Sequence, residues 1–316
     1  MKRAGSLLAI AGALLAAAPS WEQEPVFRVD VRLVRVLATV KNASGDLVGA
    51  LGKDDFTVFD NGVRQELAIF ERRTEQPLSV ALLVDTSLST AKELEYETES
   101  VARFFRAMFA EGTPRDAVAL YGFNYEVTLL TSFTSRRARL EEAMKRLKPA
   151  GGTSLYDALY LAARDLADRE GRKVIIMVTD GGDTTSAKKL REALEAAHRA
   201  DAVLYAVLVM PITNEAGRNI GGENALALLA GGTGGRVFTP SDGATLDSAF
   251  ADILRELRTQ YYLAYYPKNA PPSQDRFHRL EVKLRDASLR VLTRSGYYVD
   301  LEPQGAADSD RRKPRD

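Results

Sequence analysis

A short apolar run that ends in oxygen-bearing side chains constrains the fold of this chain more than any other stretch. The run extends from Leu78 to Val84, follows Pro77, and is followed by Asp85, Ser87 and Ser89. A run of this length between polar or helix-breaking residues predicts a strand buried on both faces. Because a helical pattern comes next, the three oxygen-bearing residues are predicted on a strand-to-helix loop. In an open α/β sheet, ligands bind at such loops.

These three residues alone do not decide between a metal site and a structural loop. One carboxylate and two hydroxyls at alternate positions suit a hard cation such as Mg²⁺, which takes oxygen ligands. Ser87 or Ser89 could instead cap the following helix, and Asp85 could hydrogen-bond the loop backbone. Both interpretations stay open at this point.

The region from residue 78 to residue 257 alternates strand and helix patterns. Repeated units of this kind predict the α/β class with a doubly wound, mostly parallel, Rossmann-like sheet. Asp116–Phe133 predicts one antiparallel pair at an edge. The glycine-rich run 231–235 lacks nucleotide-binding spacing, so we expect a turn there. The predicted helices are Glu93–Ala110, Arg136–Leu147, Leu155–Ala167, Lys188–Arg199, Glu223–Leu229 and Thr245–Leu257.

The segments on either side of this region carry strand patterns only. Residues 21–74 and 259–300 are each of a size at which a lone domain struggles to bury a core. Together they approach the roughly 100 residues of an immunoglobulin-like sandwich. We therefore expect one β-sandwich, formed by both segments, with an α/β domain at 75–258 inserted into it. The polar tail at 301–316 is predicted to be disordered.

The first 20 residues have the layout of a secretory signal peptide. Two basic residues precede an apolar run from Leu7 to Ala18, and small residues lie before Trp21. This pattern predicts export with cleavage near residue 20, to a secreted or periplasmic location, and no membrane span after cleavage. An uncleaved anchor is the alternative. The absence of cysteine excludes a disulfide scaffold.

The composition and a few isolated residues limit the possible functions of the chain. Equal numbers of basic and acidic residues argue against nucleic acid as the partner. His198 and His278 lie far apart in sequence, so we interpret them as surface or packing residues. The tyrosines at 261, 262, 265 and 266 could form a sugar-stacking platform, although packing in a strand explains them more simply.

Two further loops carry oxygen-bearing side chains. Thr153 lies in a Gly-Gly-Thr-Ser run just ahead of a predicted helix, and Asp180 follows a buried strand that begins at Arg172. The order and context of the three loops resemble the von Willebrand factor type A domain and its metal-ion-dependent adhesion site. The strand patterns in the flanking segments look like those of a family of exported bacterial proteins called VWFA-related.

The resemblance implies a specific set of ligands. Ser87, Ser89 and Thr153 would supply hydroxyl ligands, and Asp85 and Asp180 would balance the charge of a divalent cation. Mg²⁺ is the expected ion, with Mn²⁺ and Ca²⁺ as alternatives. The family function implies a protein partner that presents an Asp or Glu carboxylate, and no enzymatic activity. Nearby helix N-termini would favour that incoming anion.

Other interpretations remain beside this one. The same ion could activate water in a metal-dependent hydrolase, although no general base is evident. The β segments could instead form a carbohydrate-binding or structural module of the cell envelope. Asp183 could contact the rim of the site, but its position favours a role at the start of a helix.

Overall fold

The computed structural model describes residues 33–72, 76–90, 94–209, 219–271, 273 and 275–299. The predicted signal peptide at 1–20 and the predicted tail at 301–316 lie outside these residues. The described part of the chain contains fourteen strands and six α-helices, and all six helices lie between residues 94 and 259.

The strands, in chain order, have the following bounds. They are β1 (Val34–Lys41), β2 (Phe56–Asp60), β3 (Val63–Gln65), β4 (Ile69–Arg72), β5 (Leu78–Asp85), β6 (Ala117–Phe123), β7 (Val127–Thr134), β8 (Arg172–Thr179), β9 (Ala202–Leu208), β10 (Val237–Phe238), β11 (Tyr261–Tyr265), β12 (Phe277–Leu284), β13 (Arg290–Leu292) and β14 (Gly296–Tyr298).

The helices fill the intervals between the central strands. They are α1 (Leu94–Ala110), α2 (Arg137–Met144), α3 (Leu155–Ala167), α4 (Leu190–Arg199), α5 (Ile220–Thr233) and α6 (Gly243–Thr259). The helix predicted at Glu93–Ala110 is observed from Leu94 to Ala110, and Glu93 lies outside the described residues.

The central sheet has six strands in the order β10-β9-β8-β5-β6-β7. Strand β5 lies in the middle and pairs in parallel with β6 and β8. Strand β7 pairs antiparallel with β6, so the predicted antiparallel edge is confirmed. This order and the helices around it confirm the predicted α/β class.

Strand β5 is buried on both faces because helices cover each side of the sheet. Leu82 packs in one cluster with Phe104 of α1 and Phe250 of α6. Leu83, which points to the opposite face, packs in a second cluster with Leu159 of α3 and Leu229 of α5. The continuous apolar run of the strand is explained by this double burial.

Helix α5 is longer than predicted, so residues 231–233 are helical and the expected turn begins only at Gly234. The helix continues through Gly232, where a Cβ atom would lie 3.1 Å from Leu194 of α4, so a small residue allows the two helices to approach closely. The Thr233 hydroxyl donates to the Leu229 carbonyl, and Gly234 ends the helix with a φ of 88°. A glycine in the left-handed conformation is a common end for a helix.

Two four-stranded antiparallel sheets combine strands from both flanking segments. Their orders are β13-β1-β11-β4 and β14-β12-β2-β3. One apolar cluster includes Val36 and Leu263 from the first sheet and Val58 and Val282 from the second. The two sheets therefore share a core. The division of the chain into separately folding domains stays a prediction.

The aromatic residues of β11 serve packing. Tyr261, Tyr262 and Tyr265 are buried, whereas Tyr266 beyond the strand is 49% exposed. A sugar-stacking platform from these four residues is therefore excluded by their burial. Both histidines are also buried, so the packing interpretation is correct for them and the surface interpretation is wrong.

Among the described residues, no helix combines the length and the apolar character needed to cross a bilayer.

Candidate metal centre

The three predicted ligand loops meet at one edge of the central sheet. Strands β5 and β8 run parallel and side by side, with Val84 opposite Val178, so their carboxyl ends lie together. The loop before α3 joins them through backbone contacts. The topology thus places all five predicted ligands around the same edge, where open α/β sheets bind ligands.

Asp85 anchors the first loop and is fully buried. Its Oδ1 atom accepts a hydrogen bond from the Ser87 amide at 2.8 Å, and its Oδ2 atom accepts one from the Thr179 hydroxyl at 2.6 Å. The Thr90 hydroxyl donates to the Asp85 carbonyl at 3.0 Å. These bonds hold the carboxylate in place and tie the first loop to the end of β8.

The two serines of the first loop bring their hydroxyl oxygens together. Ser87 Oγ and Ser89 Oγ lie 2.9 Å apart, with Ser87 buried and Ser89 exposed. Their spacing in sequence therefore corresponds to one shared site, which opens to solvent on the Ser89 side.

The second loop, which carries Thr153, is attached to the first by a short parallel bridge. Ser87 pairs with Ala150, and the Ala150 amide donates to the Thr86 carbonyl at 2.9 Å. Gly152 has a φ of 78°, and a Cβ atom there would lie 2.9 Å from the Cβ of Tyr125. Both its conformation and this close approach require glycine just before Thr153.

The third loop holds Thr153 from the other side. The Thr153 amide donates to the Thr184 hydroxyl at 2.9 Å, and the Thr184 amide donates to the Thr153 carbonyl at 2.8 Å. Sequence reasoning missed the positioning roles of Thr179 and Thr184. Their positions next to Asp180 and Asp183 in the sequence could have indicated these roles. Threonine hydroxyls in such loops often form hydrogen bonds to the neighbouring backbone.

The electrostatics of the site favour a cation near Asp85. The pKa of the Asp85 carboxyl is raised to about 6, mainly by burial and to a smaller extent by the charge of Asp180, while the hydrogen bonds from Thr179 and Ser87 act in the opposite direction. Among the described residues, the groups that shift this pKa most include no basic side chain. A buried carboxylate near a second carboxylate is costly unless a cation compensates it.

The donor set fits a hard divalent cation. Two carboxylates and three hydroxyls are oxygen ligands of the kind that Mg²⁺ prefers. The described residues contain no cluster of three or more acidic, histidine or cysteine side chains able to hold a metal ion. The candidate centre therefore depends on hydroxyl groups as well as carboxylates.

Asp183 bonds to the start of helix α3, which precedes it in the chain, and not, among the described residues, to the helix that follows it in sequence. Its Oδ1 atom accepts from the Leu155 amide at 2.9 Å and from the Ser186 hydroxyl at 2.6 Å. The Ser186 oxygen in turn accepts from the Tyr156 amide at 3.0 Å. The first amides of α3 are thus already bonded within the chain, and attraction of a partner's carboxylate by nearby helix N-termini stays a prediction.

Comparison with known proteins assigns the region to a family. Residues 80–183 match the model of the von Willebrand factor type A domain. This part of the chain is a type A domain. The match spans the first and second ligand loops and reaches beyond Asp180 of the third. A search of curated proteins gave no significant match.

Solved structures similar to the chain share low identity with it. They include the PilB minor pilin from Streptococcus sanguinis, with 14% identity over 59% of this chain and 62% of the pilin, and a TM-score of 0.48. The chain thus spans less than two thirds of that pilin. BatB from Bacteroides thetaiotaomicron is 18% identical over 57% of this chain and 98% of BatB, with a TM-score of 0.46.

The von Willebrand factor domain of the type V pili tip protein Mfa5 from Porphyromonas gingivalis is also similar. It is 17% identical over 57% of this chain and 94% of that domain, with a TM-score of 0.45. The assignment of the type A domain here rests on the family match. The narrower resemblance to exported VWFA-related proteins stays a prediction.

Proposed function

We propose that the type A domain is a metal-ion-dependent protein-binding module. The observation that carries this proposal is the buried Asp85 carboxylate, which lies on the same loop as the paired hydroxyls of Ser87 and Ser89 and whose pKa is raised by burial and by the charge of Asp180. Asp85, Ser87, Ser89, Thr153 and Asp180 would hold the ion, with Mg²⁺ favoured over Mn²⁺ and Ca²⁺.

Each ligand residue has a distinct task in this proposal. Asp85 and Asp180 compensate the charge of the ion, and the hydroxyls of Ser87, Ser89 and Thr153 complete part of its shell without adding negative charge. When bound, the ion supplies an electrophilic point that can take one more oxygen ligand. The exposed side of Ser89 gives that ligand a route of approach.

An Asp or Glu carboxylate from a partner protein is the proposed last ligand. Two large apolar side chains support a protein partner, because Leu88 is 65% exposed and Tyr125 is 58% exposed beside the Gly151–Thr153 loop. Exposed aromatic and aliphatic residues next to a charged anchor are typical of protein interfaces.

We infer binding rather than catalysis. His198 bonds to the Gly232 carbonyl and His278 bonds to Asp60, and neither contacts the three loops. The hydrolase interpretation would need a general base that these residues do not provide. The carbohydrate-binding interpretation is not supported, because Tyr261, Tyr262 and Tyr265 are buried and cannot stack on a sugar.

Export to a secreted or periplasmic location completes the proposal. Its basis is the predicted signal peptide at 1–20, which lies outside the described residues. Fractionation of the native host, followed by determination of the mature N-terminus, tests this part. Recovery of the chain from Met1 in the soluble cytoplasm would contradict it.

The binding proposal is tested by capture of partners from the native cell envelope with and without EDTA. Thr153→Ala removes one hydroxyl ligand, and Thr153→Ser is the matched control because it restores that hydroxyl. We expect a partner that is retained in Mg²⁺ by the wild type and by Thr153→Ser, and is lost in EDTA and with Thr153→Ala. Equal capture in all conditions would overturn the proposal.

A further inference from the structure

Two pairs of glycines lie beside the proposed metal ligands. The second loop has glycine at positions 151 and 152, just before Thr153, and the third loop has glycine at positions 181 and 182, just after Asp180. Glycine occurs where the backbone is left-handed, where the fold leaves no space for a side chain, or where a ligand comes close to the main chain. Each of the four glycines can be assigned to one of these cases.

One glycine of each pair is required by the fold. Gly152 has a φ of 78° and Gly181 has a φ of 89°, and residues with a side chain rarely adopt such conformations. A Cβ atom at Gly181 would also lie 3.1 Å from Cδ1 of the buried Leu208 in β9. These two positions therefore need glycine whether or not anything binds at the loops.

The other glycine of each pair is not required by the described part of the fold. Gly151 is exposed and has no positive φ, and among the described residues a Cβ atom there would meet only Leu88 Cδ1, at 4.0 Å. A Cβ atom at Gly182 would lie 3.5 Å from Asp180 Oδ1 and 3.7 Å from Asn219 Nδ2, which are ordinary contact distances. Alanine would fit at both positions and would lower the entropy of the unfolded chain. A ligand that approaches the main chain is the remaining reason for glycine there.

These two glycines border the candidate ion site in different loops. Gly151 follows Ala150, which pairs with Ser87 of the first loop. The Gly182 amide donates to Asp180 Oδ1 at 3.1 Å. Two of the three ligand loops therefore present main chain without a side chain next to the ion site.

Large apolar side chains project around the same loops. Leu88, Tyr125 and Ile220 are all exposed. Leu88 lies between the two serine ligands in sequence, and the Tyr125 amide donates to the Gly151 carbonyl at 3.2 Å. Ile220 is the first residue of α5 and directly follows Asn219, which lies close to the third loop. A flat partner surface would meet these side chains before it reached the glycines, so the geometry favours a partner that projects.

We propose that the partner reaches the ion with an aspartate on a projecting loop, and that the main chain of this loop lies against Gly151 and Gly182. This inference rests on the metal-dependent binding proposed above and narrows it, because aspartate and glutamate are equally compatible with that function. Large apolar residues beside the aspartate would contact Leu88, Tyr125 and Ile220, and contacts of this kind are typical of protein interfaces.

The length of the acidic side chain connects the two glycines to aspartate. An aspartate carboxylate is one methylene closer to its main chain than a glutamate carboxylate. The main chain of the partner must therefore come nearer to the ligand loops for aspartate than for glutamate. Glutamate would reach the ion from farther away, and alanine at positions 151 and 182 would then serve as well as glycine.

The test uses a phage-displayed library of cyclic heptapeptides as the probe. The library is selected on the purified wild-type protein in Mg²⁺, and bound phage are released with EDTA. We expect the released peptides to share an aspartate with a large apolar neighbour. Replacement of that aspartate by glutamate in a synthetic peptide should weaken binding, as measured by fluorescence anisotropy.

Alanine variants then test the contact with the main chain. Gly151→Ala and Gly182→Ala should each weaken peptide binding at least about tenfold, because an inserted methyl group is costly in a closely packed contact. Mg²⁺ affinity and the free energy of unfolding should not decrease in either variant. The preference for aspartate over glutamate should become smaller in Gly151→Ala.

Gly231→Ala is the matched control. Gly231 is an exposed glycine near the other end of α5, and among the described residues a Cβ atom there would meet nothing within 4 Å. This variant should bind the selected peptides like the wild type. An equal loss of peptide binding in Gly231→Ala and Gly151→Ala would overturn the proposal.

The remaining outcomes separate this inference from the proposed function. Released peptides that carry glutamate as often as aspartate would overturn the inference alone. Unchanged peptide binding in both Gly151→Ala and Gly182→Ala, or a loss that is matched by an equal loss of Mg²⁺ affinity, would also overturn it alone. If EDTA releases no enriched peptide although the protein binds Mg²⁺, the proposed function and this inference are both contradicted.

Discussion

Two buried aspartates of this protein have different surroundings, although both lie in strands. Asp60 in β2 and Asp85 in β5 are both fully buried at the ends of strands. Asp60 Oδ1 bonds to His278 Nδ1 at 2.8 Å, and Asp60 Oδ2 accepts from the hydroxyls of Tyr265 at 2.8 Å and Tyr297 at 2.7 Å. Every partner of Asp60 is a side chain from a different strand of the two antiparallel sheets.

Asp85 differs in what surrounds it. Its carboxylate accepts from the Ser87 amide and the Thr179 hydroxyl, and the charge of Asp180 raises its pKa. Asp60 is satisfied by the fold itself, so it is a structural link between strands. The largest influences on the pKa of Asp85 include a second carboxylate and no basic group, which agrees with our proposal that Asp85 is a ligand for an external cation.

The largest effect is expected when Asp60, the structural member of this pair, is replaced. Asp60→Ala leaves the hydroxyls of Tyr265 and Tyr297 and the His278 N–H without their acceptor inside the core. Loss of one member of such a buried network costs on the order of 3–5 kcal/mol. Urea unfolding should show this loss equally with and without Mg²⁺. A destabilisation below about 1 kcal/mol would mean that the network contributes little.

A pair of matched hydroxyl deletions gives a smaller effect and separates the two sites. Tyr297→Phe and Thr179→Val each remove one hydrogen bond to an aspartate and keep most of the side-chain volume. Each should lower the free energy of unfolding in EDTA by about 1–2 kcal/mol.

Addition of Mg²⁺ distinguishes these two variants. Thr179→Val removes a bond that positions Asp85, so stabilisation by Mg²⁺ should weaken in this variant and remain unchanged in Tyr297→Phe. Thermal unfolding with increasing Mg²⁺ measures both. Equal stabilisation of the two variants by Mg²⁺ would contradict the proposal that Asp85, and not Asp60, belongs to a metal site.

The order of strands and helices was predictable because each central strand is a short apolar run and each helix has periodic apolar positions. The ends of helices were less predictable. Helix α5 continues through Gly231 and Gly232 because Gly232 packs against α4, and that contact exists only in the folded chain. The ligand loops were predictable since the position of Asp85 and Asp180 after buried strands is visible in sequence.

The Asp60 network was missed because its partners are distant in sequence. Tyr265 and Tyr297 lie 205 and 237 positions from Asp60. A signal was nevertheless present. Phe56, Val58 and Asp60 occupy alternate positions of β2 and share its buried face, so the period of the strand already directs Asp60 into a core.

The smallest expected effect concerns His198, a third buried titratable group. Its pKa lies below the ordinary value of 6.5, mainly because of burial, so the folded state binds its proton less readily than the unfolded state. Stability from this group is present above pH 6.5 and decreases as the pH falls through that value. His198→Gln should unfold with a weaker pH dependence between pH 7.5 and pH 5.5, measured in urea. An unchanged pH dependence would contradict the assignment.

The central claim is that Asp85, unlike Asp60, is there to hold a cation. Isothermal titration of Mg²⁺ into the wild type, Asp85→Asn and Asp60→Asn tests it directly, because each variant keeps the size of the side chain and removes its charge. We predict binding of one ion by the wild type and by Asp60→Asn, and an affinity at least about tenfold weaker for Asp85→Asn. Equal Mg²⁺ affinities for the wild type and Asp85→Asn, or no binding by the wild type, would contradict the account.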